Sequence, residues 1–598
     1  MNEPTRIFDI FEMFKKEPDT LGGMYFAEKI SENWVKYTTE EYERVSYELS
    51  SGFLELGLKK GDKVATVTTN RPQWNFIDMG ILQIGGVHVT VYPTITDEEF
   101  DYIFRHSESK YIFVANRILY KKIKPIADKI NTIKGVYVFD DVENTPNWKE
   151  IAIKGQKELE KNFDKIEKIK SEVSEDDLAT LIYTSGTTGI PKGVMLSHKN
   201  VLSNSKASVH RLHLNFSHKV LSFLPLSHVF AHMTSYIYQM KGVSIYYADN
   251  VAKVVDYIHE LQVDGFITVP RLLEAIFEKI SSKAKKLSPI KRKMFEFSLK
   301  VAEEYHPYTK MKPAYKMKYD FVNKLVYSQW RKALSPNVIF LGVGGSSLSP
   351  RLARIFWAAG FRVFEGYGLT ETSPIIAVNY DQPNKVKLGT VGTVLEGVEV
   401  KIAEDGEILA KGPNVMLGYY NEPDLTAEMF DEEGWFKTGD IGIVDEEGFL
   451  KITDRKKEIF KLSSGKYIAP QMIENKLKES FLINQAMVIG ENQKFPGALI
   501  SPNFEFFEDW AKNEKIEVNN SHELVDLPKV KEAIQKEIIN INKKLGEHEK
   551  IRKFQIIYHD FSIKTGELSN TLKLKRKVIA EKYHEFIDKI YPKNSDDE

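Results

Sequence analysis

The stretch YTSGTTGIPKG, from Tyr183 to Gly193, holds four Ser or Thr hydroxyls, three glycines and one lysine, directly after the apolar run beginning at Leu178. Hydroxyls and free backbone amides wrap phosphate oxygens, glycines let the backbone approach a ligand, and Lys192 supplies a point charge. The segment lacks the GK[ST] ending of the common P-loop. Composition by itself leaves a plain flexible turn as the alternative.

Working outward, apolar β-branched runs alternate with charged stretches of helical spacing, which predicts an α/β architecture with buried strands. The runs are Leu178 to Tyr183, Val220 to Leu224, Gly265 to Val269, Val338 to Val343 and Arg362 to Phe364. Three of them lead into loops rich in glycine or hydroxyls: TSGTTG, GVGGSS after Leu341, and EGYGLTET after Phe364. Ligands of α/β sheets collect at such strand ends. From Gly434 the text turns to short strands and acidic-glycine turns. A late amphipathic helix then runs from Pro528 through Val530, Ile534, Ile538, Ile541 and Leu545 to a stop at Gly546. These features predict a large domain of α/β subdomains over residues 1–454 and a small α+β domain over 455–598, in keeping with a chain of 598 residues.

Hydrophobic residues make up 42% and charged residues 28%, with a formal net charge of -1, so composition favours no class beyond a globular protein. There is no cysteine, which excludes disulfides, thiolate metal sites and a cysteine nucleophile. Any thioester chemistry must borrow its thiol. The first twenty residues lack a signal-like pattern, and no apolar run approaches the ~18 residues that span a bilayer. The expectation is a cytoplasmic enzyme, with peripheral contact to a membrane surface left open. Between Lys283 and Lys332 there are fourteen Lys or Arg against four Asp or Glu, interleaved with aromatics from Phe295 to Trp330. A solvated helical insertion with inward aromatics, a dock for anionic lipid or coenzyme A phosphates, and a nucleic-acid patch are its three readings; near-neutral overall charge argues against nucleic acid.

YTSGTTGIPKGVMLSH resembles the phosphate loop of the adenylate-forming superfamily, which includes acyl-CoA synthetases, luciferases and peptide-synthetase adenylation domains. Similar segments follow in the family's order: LPLSHVF from Leu224, GVGGSSLSP from Gly342, EGYGLTETSP from Glu365, GWFKTGD from Gly434, DRKKEIFKLSSGKYIAP from Asp454 and LSNTLKLKR from Leu568. Together they extend over nearly the whole chain.

The resemblance implies a role for each matching position. Thr184, Ser185, Gly186, Thr187, Thr188 and Lys192 match the loop that contacts the ATP triphosphate. Glu371 matches a magnesium-associated glutamate, with Thr184 sharing the ion and Thr370 touching phosphate. Ser346 and the Glu365, Gly366, Tyr367 stretch match the adenine pocket, where Tyr367 is suited to stack on the base. Asp440 and Arg455 match ribose contacts; without the flanking motifs the first reads as a turn residue and the second as half of a surface pair. Lys573 matches the mobile lysine that bridges carboxylate and α-phosphate, the alternative being a basic helix start shared with Lys575, Arg576 and Lys577. Lys457 matches the hinge, Lys461 a family lysine, and Gly465 the turn presented to the coenzyme A thiol. Long-chain relatives carry glutamate where Lys466 stands.

His228 and His232 have the spacing of two zinc ligands, but HVFAH lacks the metalloprotease glutamate and a third ligand. His228 matches instead an aromatic position beside the reacting carboxylate; Ala231 and His232 depart from the His-Val-Phe-Glu-Arg of long-chain synthetases. The resemblance thus implies ATP, Mg²⁺ and coenzyme A, with a long-chain fatty acid converted to acyl-AMP and then acyl-CoA by a small domain that rotates between half-reactions. Delivery to a carrier protein and a catalytically silent acyl-binding protein are the alternatives.

Overall fold

The computed structural model describes residues 4–185, 190–285, 287–562, 564–568 and 573–592. All five apolar runs form strands, with shifted ends: Leu178–Ser185, Lys219–Ser222, Gly265–Thr268, Phe340–Val343 and Val363–Gly368. The last extends through EGYG because its glycine-containing end pairs antiparallel with Ile375–Val378, with a register shift at Tyr367 and Gly368.

Two large sheets form the body of the molecule. One has nine strands, in the order Thr393–Val394, Ile375–Val378, Val363–Gly368, Phe340–Val343, Gly265–Thr268, Lys219–Ser222, Ser244–Tyr247, Tyr25–Ile30 and Asn33–Thr38. Its middle, from Val363–Gly368 to Tyr25–Ile30, is parallel, so those strands end on one side of the sheet. The other has seven strands, in the order Gly418–Tyr419, Pro191–Ser197, Leu178–Ser185, Val87–Val91, Lys63–Val67, Tyr111–Val114 and Gly135–Val138.

The helix Pro72–Gln83, buried along its whole length, touches strands of both sheets. A helix apolar on every side belongs inside, and its few polar groups must find partners there. Some partners lie on a second buried helix, Val229–Met240, and another on the strand Val87–Val91. Tyr236 donates to Asp78 Oδ2 at 2.6 Å, Ser235 donates to Asn75 Oδ1 at 3.1 Å, and His88 Nδ1 lies 2.7 Å from Asp78 Oδ1. This polar seam fixes the segment that begins at His228.

An antiparallel sheet of Glu399–Ile402, Glu407–Lys411, Phe436–Val444 and Leu450–Arg455 follows. The remaining chain builds a smaller α+β unit with its own apolar core. Its sheet, Ile483–Ile489, Gly497–Pro502 and Lys553–Ile556, is covered by helices that include Pro470–Leu477 and Pro528–Asn542. Val530, Ile534, Ile538 and Ile541 of the last helix are buried, each contributing about 1.5–3 kcal/mol. Among the described residues no helix is long and apolar enough to cross a membrane.

Candidate active site

The C-terminal ends of the strands Leu178–Ser185, Lys219–Ser222, Phe340–Val343 and Val363–Gly368 lead into the loops that carry most of the predicted residues. Thr184 faces Lys192 across the hairpin base, where the two strands pair antiparallel. Gly186, Thr187, Thr188 and the Ser185 side chain lie outside the described residues.

Glu371 sits in a single 3-10 turn, Thr370–Thr372, too short to hold itself. Three contacts hold it from outside. The Tyr419 hydroxyl donates to Glu371 Oε1 at 2.8 Å, the Met416 amide donates to the Glu371 carbonyl at 2.8 Å, and Asn414 donates to the Thr372 carbonyl at 2.9 Å. The loop that supplies them is tied down by Asn200, which donates to the carbonyls of Pro413 and Val415. Lys192 Nζ lies 5.3 Å from the Tyr419 ring centroid, a cation-π contact that joins the hairpin base to the Glu371 anchor. Burial, and then the neighbouring Glu371 charge, keep the Tyr419 phenol protonated and donating.

Asp440 and Arg455 are cross-strand partners, which brings them together although fourteen residues part them in sequence. Arg455 Nε lies 3.2 Å from Asp440 Oδ1, while the Tyr367 hydroxyl donates to Oδ2 at 2.8 Å. Burial raises the Asp440 carboxyl; the Arg455 charge and the Tyr367 hydrogen bond oppose it. Each carboxylate oxygen keeps acceptor capacity for a further hydroxyl. Ser346 is exposed in the turn after Phe340–Val343, and its neighbour Ser347 accepts from Asn475 of the small unit at 2.7 Å. Glu365 is buried, and burial pushes its carboxyl up to about 8, the Leu348 backbone opposing. Thr370 is half-buried beside Glu371.

Lys573 enters this site from the small unit. Burial pushes its ammonium down to about 8; the Arg455 charge adds to that, and the charges of Asp440, Glu458 and Glu371 oppose it. His228 caps the helix Val229–Met240, its Nδ1 accepting from the Phe230 amide at 3.2 Å. Burial, reinforced by the Lys573 charge, pushes the imidazole down to about 4, so it is neutral near pH 7. One cation from the small unit therefore acts on groups carried by three separate strand ends of the large one. Arg576 braces its approach, paired with Glu458 at 3.1 Å and Glu474 at 2.8 Å. In the sequence Arg576 has no role beyond its place among neighbouring charges and in the Lys-x-x-Arg spacing that marks Lys573, and Tyr419, Asn200 and Glu458 are not among the predicted site residues.

His232, one turn from His228, bonds Tyr236 at 2.8 Å, and no cluster of three metal-ligating side chains occurs among the described residues. Lys457 is exposed after Arg455. Lys461 and Gly465 lie in an exposed hairpin, with Lys461 Nζ 5.5 Å from the Tyr467 ring; Gly465 has φ +83°, a conformation that favours glycine.

Against the helix that His228 caps lies an apolar cavity of about 40 Å³. Its walls come from Phe230, Thr234 and Ile237 on one helix face and from Ile267, Gly342 and Phe364 on the sheet. Gly366 of the predicted adenine stretch also lines it, so this residue faces the cavity side of its strand.

A family model described as AMP-binding enzyme matches residues 23–420, and one described as AMP-binding enzyme C-terminal domain matches residues 457–595. The chain is 32% identical to the long-chain-fatty-acid–CoA ligase FadD15 of Mycobacterium bovis, covering 98% of this chain and 96% of that one. It is also 32% identical to the long-chain-fatty-acid–CoA ligase ACSBG2 of Xenopus laevis, over 97% and 83% respectively. Among solved structures, the A domain of a carboxylic acid reductase from Segniliparus rugosus, in complex with AMP and a co-purified carboxylic acid, superposes with a TM-score of 0.71 at 19% identity, covering 98% of this chain and 94% of that one. Sequence likeness along almost the whole chain, joined to the matches of both family models, makes this protein a member of the AMP-binding family of adenylate-forming enzymes.

Proposed function

We propose that this enzyme activates a long-chain fatty acid with ATP to give acyl-AMP and pyrophosphate, then transfers the acyl group to coenzyme A. The observation that carries the reading is that Lys573, on the small unit, lies within reach of the charges of Glu371, Asp440 and Arg455 and acts on His228. In the first half-reaction the fatty carboxylate attacks the α-phosphorus and pyrophosphate leaves. Lys573 supplies positive charge where negative charge develops, and Asp440 and Arg455 orient the ribose. Thr184, Ser185, Gly186, Thr187, Thr188, Lys192 and Thr370 hold the phosphates, while Ser346, Glu365, Gly366 and Tyr367 form the adenine side. His228, neutral and two residues before the cavity wall Phe230, borders the carboxylate without adding charge.

Glu371 fits Mg²⁺: Tyr419 occupies one lone pair of one carboxylate oxygen, leaving the remaining lone pairs as hard acceptors, and Thr184 is the second residue that would share the ion. Mg²⁺ is commonly held by one or two carboxylates completed by substrate phosphates and water, so a site with a single protein carboxylate suits it. Such an ion would neutralise phosphate charge.

In the second half-reaction the coenzyme A thiol attacks the acyl carbon and AMP leaves. Since the chain has no cysteine, the thiol is the acceptor's own. The division at 454/455, a hinge at Lys457, and presentation of the Lys461 and Gly465 hairpin to the acceptor complete this reading, with the small domain turning between half-reactions. The apolar cavity against the helix Val229–Met240 suits the start of an acyl chain. A long chain exceeds 40 Å³, so its entry must displace aromatic walls such as Phe230 or Phe364. A cytoplasmic enzyme with peripheral membrane contact accords with such a substrate.

The experiment is acid-dependent pyrophosphate exchange over a panel from acetate to long unsaturated acids, followed by acyl transfer to free coenzyme A. Exchange with long chains and transfer without a carrier protein are expected. Absence of exchange would refute adenylation, and exchange without transfer to coenzyme A would assign the product to another acceptor.

A further inference from the structure

The segment between Lys283 and Lys332 splits by face in the structure. Its helix Pro289–Glu303 packs against the helical stretch Pro313–Leu334, which is continuous through one π-helical turn at Asn323–Tyr327. The inner faces hold the aromatics. Tyr315 donates to the Val301 carbonyl at 2.8 Å, Tyr327 to the Ser298 carbonyl at 2.7 Å, and Phe295 lies 5.9 Å from Trp330. Inward aromatics account for half of the segment's pattern.

The outer faces do something a merely solvated insertion does not. Ile290 is 80% exposed and shares a helix stripe with Lys293, Phe297 and Lys300. Met317 is 75% exposed and Phe321 50%, with Leu325 completing an i, i+4, i+8 row beside Lys318 and Lys324. These four lysines make no ion pair among the described residues. Large apolar side chains are thus held out in water within a net-positive field, on a protein whose net charge is only -1. Lysine stems lie along apolar surface and carry their charge outward, which suits the boundary between acyl chains and anionic headgroups.

We infer that the outer faces of Pro289–Glu303 and Pro313–Leu334 dock this enzyme on an anionic bilayer, with Met317 and Phe321 entering the acyl boundary and Lys293, Lys300, Lys318 and Lys324 meeting headgroups. Aliphatic Ile290, Met317 and Leu325 favour lipid over nucleic acid, whose backbone takes charge and whose bases take aromatic faces. The biological sense rests on the proposed substrate, because a long-chain acid partitions into bilayers. The test does not, because vesicle binding and pyrophosphate exchange are read separately.

The full chain is sedimented with vesicles of phosphatidylcholine, with and without about a third phosphatidylglycerol, at low and high salt. Binding is expected only with the anionic lipid, and weaker at high salt. Lys293→Glu with Lys300→Glu should reduce it by about tenfold or more, since each basic side chain near such a surface contributes roughly fivefold. Met317→Ser with Phe321→Ser should remove the part that survives high salt. Both variants should keep normal exchange with an acid supplied in solution, which shows that they fold. The inference is overturned if anionic vesicles do not bind, if both variants bind like the parent chain, or if a duplex DNA probe binds as tightly as the vesicles.

Discussion

Burial and the Arg455 charge push the Lys573 ammonium down to about 8, so in the free enzyme it loses its proton as the pH rises through that value. If adenylation needs the cation, kcat/KM for acyl-AMP formation falls above about pH 8, whereas thioesterification of supplied acyl-AMP shows no such limb. Phosphate oxygens favour the charged form, so the same limb in kcat moves to higher pH. Lys573→Ala should cost adenylation about 100- to 1000-fold, the loss seen when one preorganised donor is removed, and spare the second half-reaction. Equal slowing of both would refute this role. Glu365 gives a stability prediction. Its folded-state value of about 8 lies above the ordinary 4.5, so the folded protein holds a proton that the unfolded chain has lost. Its contribution to stability is complete below 4.5 and disappears as the pH rises toward 8. Glu365→Gln should flatten the fall in Tm between about pH 4.5 and 8; an unchanged pH dependence would show that the carboxyl is already ionised. The motif positions were legible because each lies in a run of distinctive neighbours. Tyr419 was not, since its bond to Glu371 spans 48 residues and leaves no local spacing to read. Arg576 was hidden differently, as one of three consecutive basic residues.

Strands were legible as elements because their apolar runs are buried on both faces, whatever the order of the sheet. Their pairing was not, because a parallel ladder unites residues as distant as Ile112 and Ala65, or Phe26 and Ile245. The buried helices show the same division: apolar content marks Pro72–Gln83 as internal, but the seam from Asp78 to Tyr236 depends on two helices meeting. One element-scale feature bears on specificity. A Cβ at Gly342 would come within 2.8 Å of Phe340 Cζ and 3.1 Å of Ile267 Cγ2, both cavity walls. Gly342→Ala therefore pushes side chains into the space proposed for the acyl chain. Each methylene denied burial costs about 0.8 kcal/mol, or roughly fourfold. The variant should lose kcat/KM on long acids progressively with chain length while medium-chain acids are spared. A uniform loss over the acid panel would mean that Gly342 serves the strand and not the pocket.

At the scale of the whole molecule, seating Lys573 requires the small unit to lie where it does, and a few side chains across the boundary hold it there. Arg271, on the large unit's helix Pro270–Lys285, donates to Asn484 Oδ1 of the small unit at 2.9 Å and lies 3.2 Å from Glu278. Asn484 in turn donates to Asp560 Oδ2 at 2.7 Å, so one guanidinium faces Glu274, Glu278 and, through Asn484, Asp560. Burial already raises the Glu278 carboxyl, and Arg271 is what opposes it. Arg271→Ala would leave these carboxylates to repel across the boundary and remove a charge-assisted hydrogen bond that contributes about 1.5–3 kcal/mol. The arrangement that brings Lys573 to the site should then be less populated, with adenylation slowed by about tenfold or more. Thioesterification of supplied acyl-AMP, which in the proposed cycle uses the other orientation, should keep its rate or gain slightly. Arg271→Lys, which restores the charge without the planar fork, should recover part of the loss. Separate single-turnover measurements of the two half-reactions decide the matter: equal effects on both, or none on either, would show that this contact does not govern the orientation of the small domain.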